Sequence, residues 1–281
     1  MNLGISSCES LTAPASTSAL IGTNSDYFTI PVLPDTQYYS EKYPAIFTRQ
    51  TQWIADYARA QHMIFVSQVG DLVEDYNIDS ERMNAQNAMG IIRNAGIPYS
   101  VVPGNHDLNF EAGDTAYYDQ YFPYSWYGSG QYPPQNGAPA SNYPAGSNAS
   151  NYGTFSAMGQ NFVILNLACT PKVLVNSTLY DCANSVLQYY SKYKAIVITH
   201  GYINAVGDYT DSSDVSGVEI WKNVVNPNSN VVAVICGHVS GEYNASVVAE
   251  HGNNVENLLF DSQNDPNGGD GWLRLYKFYP Q

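Results

Sequence analysis

Short runs of β-branched apolar residues alternate along the chain with segments of helical periodicity, and the runs stop abruptly at polar residues. An apolar run of roughly four to eight residues is typical of a buried strand, whereas apolar residues at i, i+3 and i+4 indicate a helix. Strands that alternate with helices predict an α/β fold in which helices cover β-sheets. The predicted strands are residues 27–33, 63–69, 99–102, 153–157, 161–168, 195–199, 231–236, 243–249, 255–260 and 272–278, and the predicted helices are residues 43–61, 79–94, 115–121, 185–193 and 215–225.

One folded domain, residues 26–281, is predicted, because an α/β chain of 281 residues can form a single unit. Residues 1–25 are rich in Ser, Thr and Ala and lack the basic and long apolar segments of an intact signal peptide, so they are predicted to be a linker. A stretch at about 123–152 is rich in Pro, Gly, Asn, Ser and Tyr. This composition predicts a long loop, and loops of that length are often functional or mobile.

The chain is strongly acidic, with 11 basic and 25 acidic residues and a net charge of −14. Non-specific binding of nucleic acid requires clusters of Lys and Arg, so we expect none here. No apolar run approaches the roughly 18 residues that cross a bilayer, so no membrane span is predicted. A phosphate-bearing ligand would need local positive charge, and a metal ion is its natural source in a chain with so few basic residues.

The composition also bears on location. Few charged residues and many Tyr, Asn, Ser and Gly residues favour an extracytoplasmic or secreted protein over a cytosolic one. Cys169 and Cys182 flank a short polar segment, and they either form a disulfide in an oxidising compartment or remain two thiols. Cys236 lies in an apolar run and is predicted to belong to the core.

Five predicted strands are followed closely by side chains that can bind a metal ion. In open α/β sheets, functional sites collect beyond the carboxyl ends of the strands, so side chains at these ends are expected to meet. Three of the five histidines of the chain lie at such ends. The candidate residues are Asp35, Asp71, Asn105 with His106, His200 and His238. Each alone is typical of a turn, a helix cap or a satisfied polar side chain at a strand end, whereas their joint order is far more specific.

The motifs that carry these residues resemble those of the calcineurin-like metallophosphoesterase superfamily. They are P-D-T-Q at 34–37, V-G-D-L-V-E-D at 69–75, G-N-H-D at 104–107, V-I-T-H-G at 197–201 and G-H at 237–238. The resemblance spans about residues 28–278. It implies a four-layer α/β/β/α sandwich of two mixed β-sheets flanked by helices, with metal ions at the strand ends.

The resemblance also implies which residues bind each ion of a two-metal site. Two cations can clamp the attacking and leaving oxygens of an in-line displacement, and a metal-bound hydroxide would attack phosphorus. The carboxylate of Asp71 has two oxygens and can bridge the ions. One ion would take Asp71, Asn105, His200 and His238, and the other would take Asp35, Gln37 and Asp71.

Two further residues are predicted to be catalytic. His106 follows the ligand Asn105 and should face the substrate, where it would protonate the leaving group or stabilise charge. Glu74 matches the acidic position that orients this histidine in relatives. Asp75 and Asp107 are alternatives for the orienting role.

Two departures from the family pattern fall on the same ion. Gln37 occupies the position of the histidine in the usual D-x-H motif. Ser240 occupies the position of the second histidine in the usual G-H-x-H motif. The site with two imidazoles suits Zn, Fe or Mn, whereas the other site becomes all-oxygen and favours Ca, Mg or Mn. We therefore expect one or two divalent ions, one firmly bound and one labile or of another kind. The residues that might compensate for Ser240 are Glu242, His251 and Asp261.

These observations favour a metal-dependent phosphoester hydrolase, a phosphomonoesterase or phosphodiesterase, that acts on a small-molecule substrate. The alternative is a degenerate member of the superfamily that binds metal or ligand without turnover, as the loss of histidine at position 240 suggests. The retained Asn105 and His106 weigh against this alternative, because a binding module has no need of a catalytic histidine.

Overall fold

The computed structural model describes residues 26–126, 142–143, 147–169, 177–212 and 216–279. The predicted linker at 1–25 lies outside them, as do residues 127–141 and 144–146 of the predicted loop. The strands are β1 (Phe28–Leu33), β2 (Val66–Gln68), β3 (Tyr99–Val101), β4 (Asn142–Tyr143), β5 (Ser150–Ala157), β6 (Gln160–Leu167), β7 (Lys194–Thr199), β8 (Val231–Cys236), β9 (Gly241–Val248), β10 (Asn254–Asp261) and β11 (Arg274–Phe278).

Helices connect most of the parallel strands. They are α1 (Gln37–Glu41), α2 (Pro44–Tyr57), α3 (Asp79–Asn94), α4 (Ala116–Tyr121), α5 (Ser177–Tyr189) and α6 (Gly217–Ile220), which continues into a π-helical turn at Trp221–Val225. Shorter helical turns lie at Phe110–Ala112, Tyr124–Trp126 and Pro266–Gly269. Among the described residues, no helix has both the length and the apolar character needed to cross a membrane.

The strands form two mixed sheets. The first has the order β11-β1-β2-β3, in which β1, β2 and β3 are parallel and β11 is antiparallel to β1. The second has the order β4-β5-β6-β7-β8-β10-β9, in which β6, β7, β8 and β10 are parallel and the outer pairs are antiparallel. The parallel strands of each sheet therefore end at one common edge.

The layers follow from which faces are apolar. Phe28 and Ile30 of β1 pack against Phe162 and Ile198 of the second sheet, so the two sheets face each other across an apolar core. The other face of the first sheet is covered by α2 and α3, and the other face of the second sheet by α5 and the π-helical turn. The predicted four-layer α/β/β/α sandwich is confirmed.

Several predicted boundaries were wrong. The helix predicted at 185–193 is α5, which begins eight residues earlier and ends at Tyr189, because Leu179, Ala183 and Val186 continue the buried stripe through a polar stretch. The helix predicted at 43–61 ends at Tyr57, and turns follow it. The strand predicted at 63–69 pairs regularly over only three residues. The predicted loop ends where β5 begins, two residues before position 152.

Candidate metal centre

The candidate side chains from both sheets meet at the common edge where the parallel strands end. The ring of His200 lies at the centre of the group. Its Nε2 atom is 3.0 Å from His238 Nδ1, 3.1 Å from Asn105 Oδ1 and 3.3 Å from Asp71 Oδ2. One ligand atom from each of Asp71, His200 and His238 lies within 4.8 Å of the others. Residues that follow four separate strands thus converge on one point.

Two hydrogen bonds join the sheets and set the orientation of these groups. His200 Nδ1 is 3.0 Å from the carbonyl oxygen of Val69, which can only accept, so Nδ1 carries a proton. In the neutral ring, Nε2 then presents its lone pair to the group. The backbone N–H of His238 donates to the carboxylate of Asp35 at 3.1 Å, which connects the end of β8 to the end of β1.

The geometry around His200 Nε2 fits a cation. Two acceptor oxygens and a ring nitrogen of His238 surround it, and a single proton on Nε2 can satisfy only one of the two oxygens well. Ligand atoms about 2.0–2.2 Å from one ion lie roughly 3.0–3.4 Å from each other, which is the spacing observed. Two imidazole nitrogens, a carboxylate oxygen and an amide oxygen are together a donor set for a divalent transition metal.

The buried carboxylates would also be stabilised by positive charge nearby. Burial raises the pKa of Asp35 well above its ordinary value, and the charges of Asp261 and Asp71 raise it further. Burial also acts to raise the pKa of Asp71, but the positive charge and hydrogen bond of His200 outweigh it, and the pKa is lowered. Burial disfavours charge on His200, yet Asp71 and Asp35 raise its pKa to about 10. The protonated ring of His200 thus supplies positive charge to these carboxylates, and a divalent cation would supply more of it.

Gln37 offers a second observation that fits a cation. It is the first residue of α1, and only 3% of its surface is exposed. Its Nε2 donates to Glu74 Oε2 at 2.7 Å, whereas its Oε1 has no hydrogen-bond partner among the described residues. A buried amide oxygen without a partner is costly, and a hard cation is the partner that would satisfy it.

His106 lies beside this group and is partly exposed. Its Nδ1 is 2.7 Å from the backbone carbonyl oxygen of Glu74 and 3.8 Å from the Glu74 carboxylate. Glu74 is therefore placed to orient the ring. Asp75 is exposed. Asp107 is buried and accepts the backbone N–H groups of residues 72, 73 and 104, so it ties two loops together and does not bind the ring.

The glycines of the motifs leave room for neighbouring carboxylates. A Cβ atom on Gly104 would overlap the Asp71 carboxylate, and one on Gly237 would overlap the Asp35 carboxylate. Asp71 and His238 themselves have φ angles of 51° and 68°. Residues other than Gly rarely adopt this left-handed region, and such residues cluster at functional sites.

Of the three residues named as possible replacements for the histidine missing at position 240, Asp261 is the one that lies beside Ser240 at this centre. It is the last residue of β10, it is 2% exposed, and its Oδ2 lies 3.4 Å from Ser240 Oγ. The other two residues named with it lie elsewhere, because Glu242 pairs with Arg274 and the exposed His251 lies beside Glu250. The signal was present, since the apolar run predicted at 255–260 also ends at an acidic residue.

Comparisons with known proteins find one related sequence and several solved structures similar to this chain. The chain is 32% identical over 263 residues to the uncharacterized protein YvnB of Bacillus subtilis, and the match covers 90% of this chain but only 19% of that longer protein. GAP50, the anchor in the inner membrane complex of Plasmodium, has a solved structure that is similar to this chain with a TM-score of 0.50 and 12% sequence identity. The match covers 85% of this chain and 72% of GAP50, and it shows the same fold. A dimetal phosphatase from Danio rerio is 11% identical with a TM-score of 0.44, covering 83% and 86%.

The family itself is identified by a match along most of the sequence. The sequence model of the calcineurin-like phosphoesterases matches residues 28–241, which include the motifs at the ends of β1, β2, β3, β7 and β8. Proteins of this family use divalent metals, and the described residues include a triad that could hold one. The chain belongs to the calcineurin-like phosphoesterase family.

Proposed function

We propose that the protein hydrolyses a phosphomonoester or phosphodiester of a small molecule, with His106 as the group that assists the leaving oxygen. Family membership supports a metal-dependent phosphoesterase in general. The observation that carries the proposal is the set of two oxygens and one imidazole nitrogen within 3.3 Å of His200 Nε2, which together with it form a donor set for a divalent cation. The net charge of −14 favours a small substrate over an extended polyanion.

The residues present would hold two unlike ions. The first would be held by Asp71, Asn105, His200 and His238, whose two imidazoles suit Zn, Fe or Mn. The second would be held by oxygens from Asp35, Gln37 and Asp71, which suit a harder ion such as Ca, Mg or Mn. Bound divalent ions would supply the positive charge that stabilises the phosphoryl group as it transfers.

His106 is placed for proton transfer. The carbonyl oxygen of Glu74 accepts from Nδ1, so Nε2 is the nitrogen left to hold the proton that the leaving oxygen takes. Burial acts to lower the pKa of His106, but the negative charge of Asp71 and the contacts with Glu74 raise it overall. The ring therefore keeps its proton to higher pH than a free imidazole. Gln37 fixes the Glu74 carboxylate from the other side.

The experiment compares leaving groups. We expect the wild-type chain to hydrolyse p-nitrophenyl phosphate or its bis-ester with at least one of Mn, Zn, Ca or Mg. His106→Asn should lower kcat by about 10²–10⁴ on an alkyl ester, whose leaving oxygen needs a proton, and by less on the p-nitrophenyl ester. His251→Asn, which changes an exposed histidine outside the centre, is the matched control and should leave both rates unchanged.

Two outcomes would count against the proposal. An equal loss on both esters would refute the role of His106 as an acid and favour charge stabilisation. Absence of turnover with every metal, in the wild type and in Ser240→His, would favour the second candidate function, a binding protein. The observation that motivates this candidate is the Ser240 hydroxyl, which accepts from Asn264 at 2.6 Å where an imidazole is usual.

A further inference from the structure

The strand order brings a sixth polar strand end to the metal centre. β10 lies beside β8 and runs parallel to it, with Leu259 opposite Cys236. Two residues further along each chain segment are Asp261 and His238, so both lie at the same edge of the sheet. In the antiparallel pairing with β9, Asp261 lies opposite Gly241, the residue after Ser240. Asp261 thus occupies the space beside the position where the last motif lacks its second histidine.

The hydrogen-bond partners of the Asp261 side chain are a backbone N–H and a hydroxyl. Its Oδ1 accepts the backbone N–H of Gln263 at 2.8 Å, and its Oδ2 faces the Ser240 hydroxyl at 3.4 Å. Because Asn264 donates to that hydroxyl, Ser240 is held as a donor towards Asp261. Among the described Lys and Arg side chains, none forms an ion pair with this carboxylate. A buried carboxylate is retained when it is paired or binds a metal.

Asp35 accepts the backbone N–H of His238 at the end of β8, and Asp261 ends the strand that pairs with β8, so both buried carboxylates lie beside the same strand end. Two neighbouring buried carboxylates of like charge are stabilised when a cation lies between them.

We propose that Asp261 is a ligand of the second cation and replaces the histidine that Ser240 has displaced. This inference rests on the proposed function, since it concerns the same centre. The buried Gln37 Oε1 atom, which has no hydrogen-bond partner among the described residues, is the independent sign that an ion is held on this side. Three carboxylates and one amide oxygen then form an all-oxygen set, which selects Ca²⁺, Mn²⁺ or Mg²⁺ over Zn²⁺.

The test is a metal-binding measurement on the full chain. Equilibrium dialysis with metal analysis would give the number and affinity of Mn²⁺ and Ca²⁺ ions bound by the wild type, Asp261→Asn and Asp265→Asn. Asp261→Asn should weaken one site by about 10-fold or more and leave the other unchanged. Asp265→Asn removes the same charge from an exposed side chain of the same pocket and should change neither site. Equal affinities in Asp261→Asn and the wild type would overturn the inference.

A second variant keeps the test decisive if Asp261→Asn fails to fold. Ser240→His adds an imidazole beside Asp261 and should convert the labile site into one that retains Zn²⁺ or Mn²⁺ through mild chelation. No gain in retention would overturn the inference. Failure of this inference can be distinguished from failure of the proposed function. A chain that hydrolyses phosphoesters but binds metal unchanged in Asp261→Asn contradicts only this inference, whereas a chain that binds two ions without hydrolysis contradicts only the proposed function.

Discussion

Removal of the divalent cations should reverse the pH dependence of stability. Burial raises the pKa of Asp107 to about 7 and that of Asp261 to about 6, against 3.8 for an ordinary Asp, and burial also raises that of Asp35. In the metal-free chain, these groups bind protons in the folded state at pH values where the unfolded state has released them. The free energy of unfolding must then fall as the pH rises through this window.

His200 and Asp71 do not change this sign. His200 has a pKa raised from 6.5 to about 10, mainly by Asp71 against the opposing effect of burial, so its stabilising effect is complete below pH 6.5 and is lost towards pH 10. The pKa of Asp71 is lowered, so its effect is lost only as the pH falls below the ordinary value of 3.8. At about 1.4 kcal/mol for each proton and pH unit, Asp107 and Asp261 alone amount to about 4 kcal/mol between pH 5 and pH 7.

A saturating divalent cation should give the opposite trend, because its ligands bind it only when deprotonated. An ion at 100 times its Kd adds about 2.7 kcal/mol to the free energy of unfolding. Urea denaturation at several pH values, with chelator and with Mn²⁺, measures both trends. Asp261→Asn should flatten the metal-free curve between pH 5 and 6, and Asp265→Asn should not. A metal-free chain that is more stable at pH 7 than at pH 5 would refute the reasoning.

Two other substitutions test the geometry of the centre and its surroundings. Gly104→Ala should cost about 1–3 kcal/mol in urea denaturation and weaken metal binding, because its Cβ would overlap Asp71, whereas Gly90→Ala in open space within α3 should be neutral or stabilising. Trp272 is 67% exposed and lines a pocket of about 350 Å³ that includes Asp261. Trp272→Ala should therefore raise KM for an aryl phosphate several-fold with little change in kcat. Tyr279→Ala, which changes another exposed aromatic residue, should not raise KM. Unchanged metal binding in Gly104→Ala, or an equal effect of both aromatic substitutions on KM, would contradict these expectations.

Much of the centre could be predicted from the sequence because local patterns report strand ends. An apolar run that stops at Asp71 or His200 marks a buried strand and the residue that leaves it, whatever the strand pairs with. Five such ends located the group before any pairing was known. The family resemblance then assigned roles to them, and the structure places Asp35, Asp71, Asn105, His200 and His238 together.

Asp261 could not be placed from the sequence because its position depends on strand order. Consecutive strands usually pair, so the run after β8 would be expected to lie beside it. Instead β10 lies between β8 and β9, which leaves β9 at the edge of the sheet. Only this order brings Asp261 next to His238. The early start of α5 was missed for a different reason, because polar residues interrupt its buried stripe.

The proposed cation binding would be coupled to folding, and the direction of the coupling follows from the energetic cost of forming the centre. Asp71 and His238 each adopt a backbone conformation that costs about 1–3 kcal/mol for a residue other than Gly. Asp35 and Asp261 are both buried, and Gln37 holds an amide oxygen without a partner among the described residues. Local sequence preferences favour none of these arrangements, so interactions in the folded chain must offset them. A divalent cation interacts with every one of the charged groups favourably, and it cannot bind them in the unfolded chain with the same geometry. The apparent affinity of the proposed ions would therefore set a part of the free energy of unfolding.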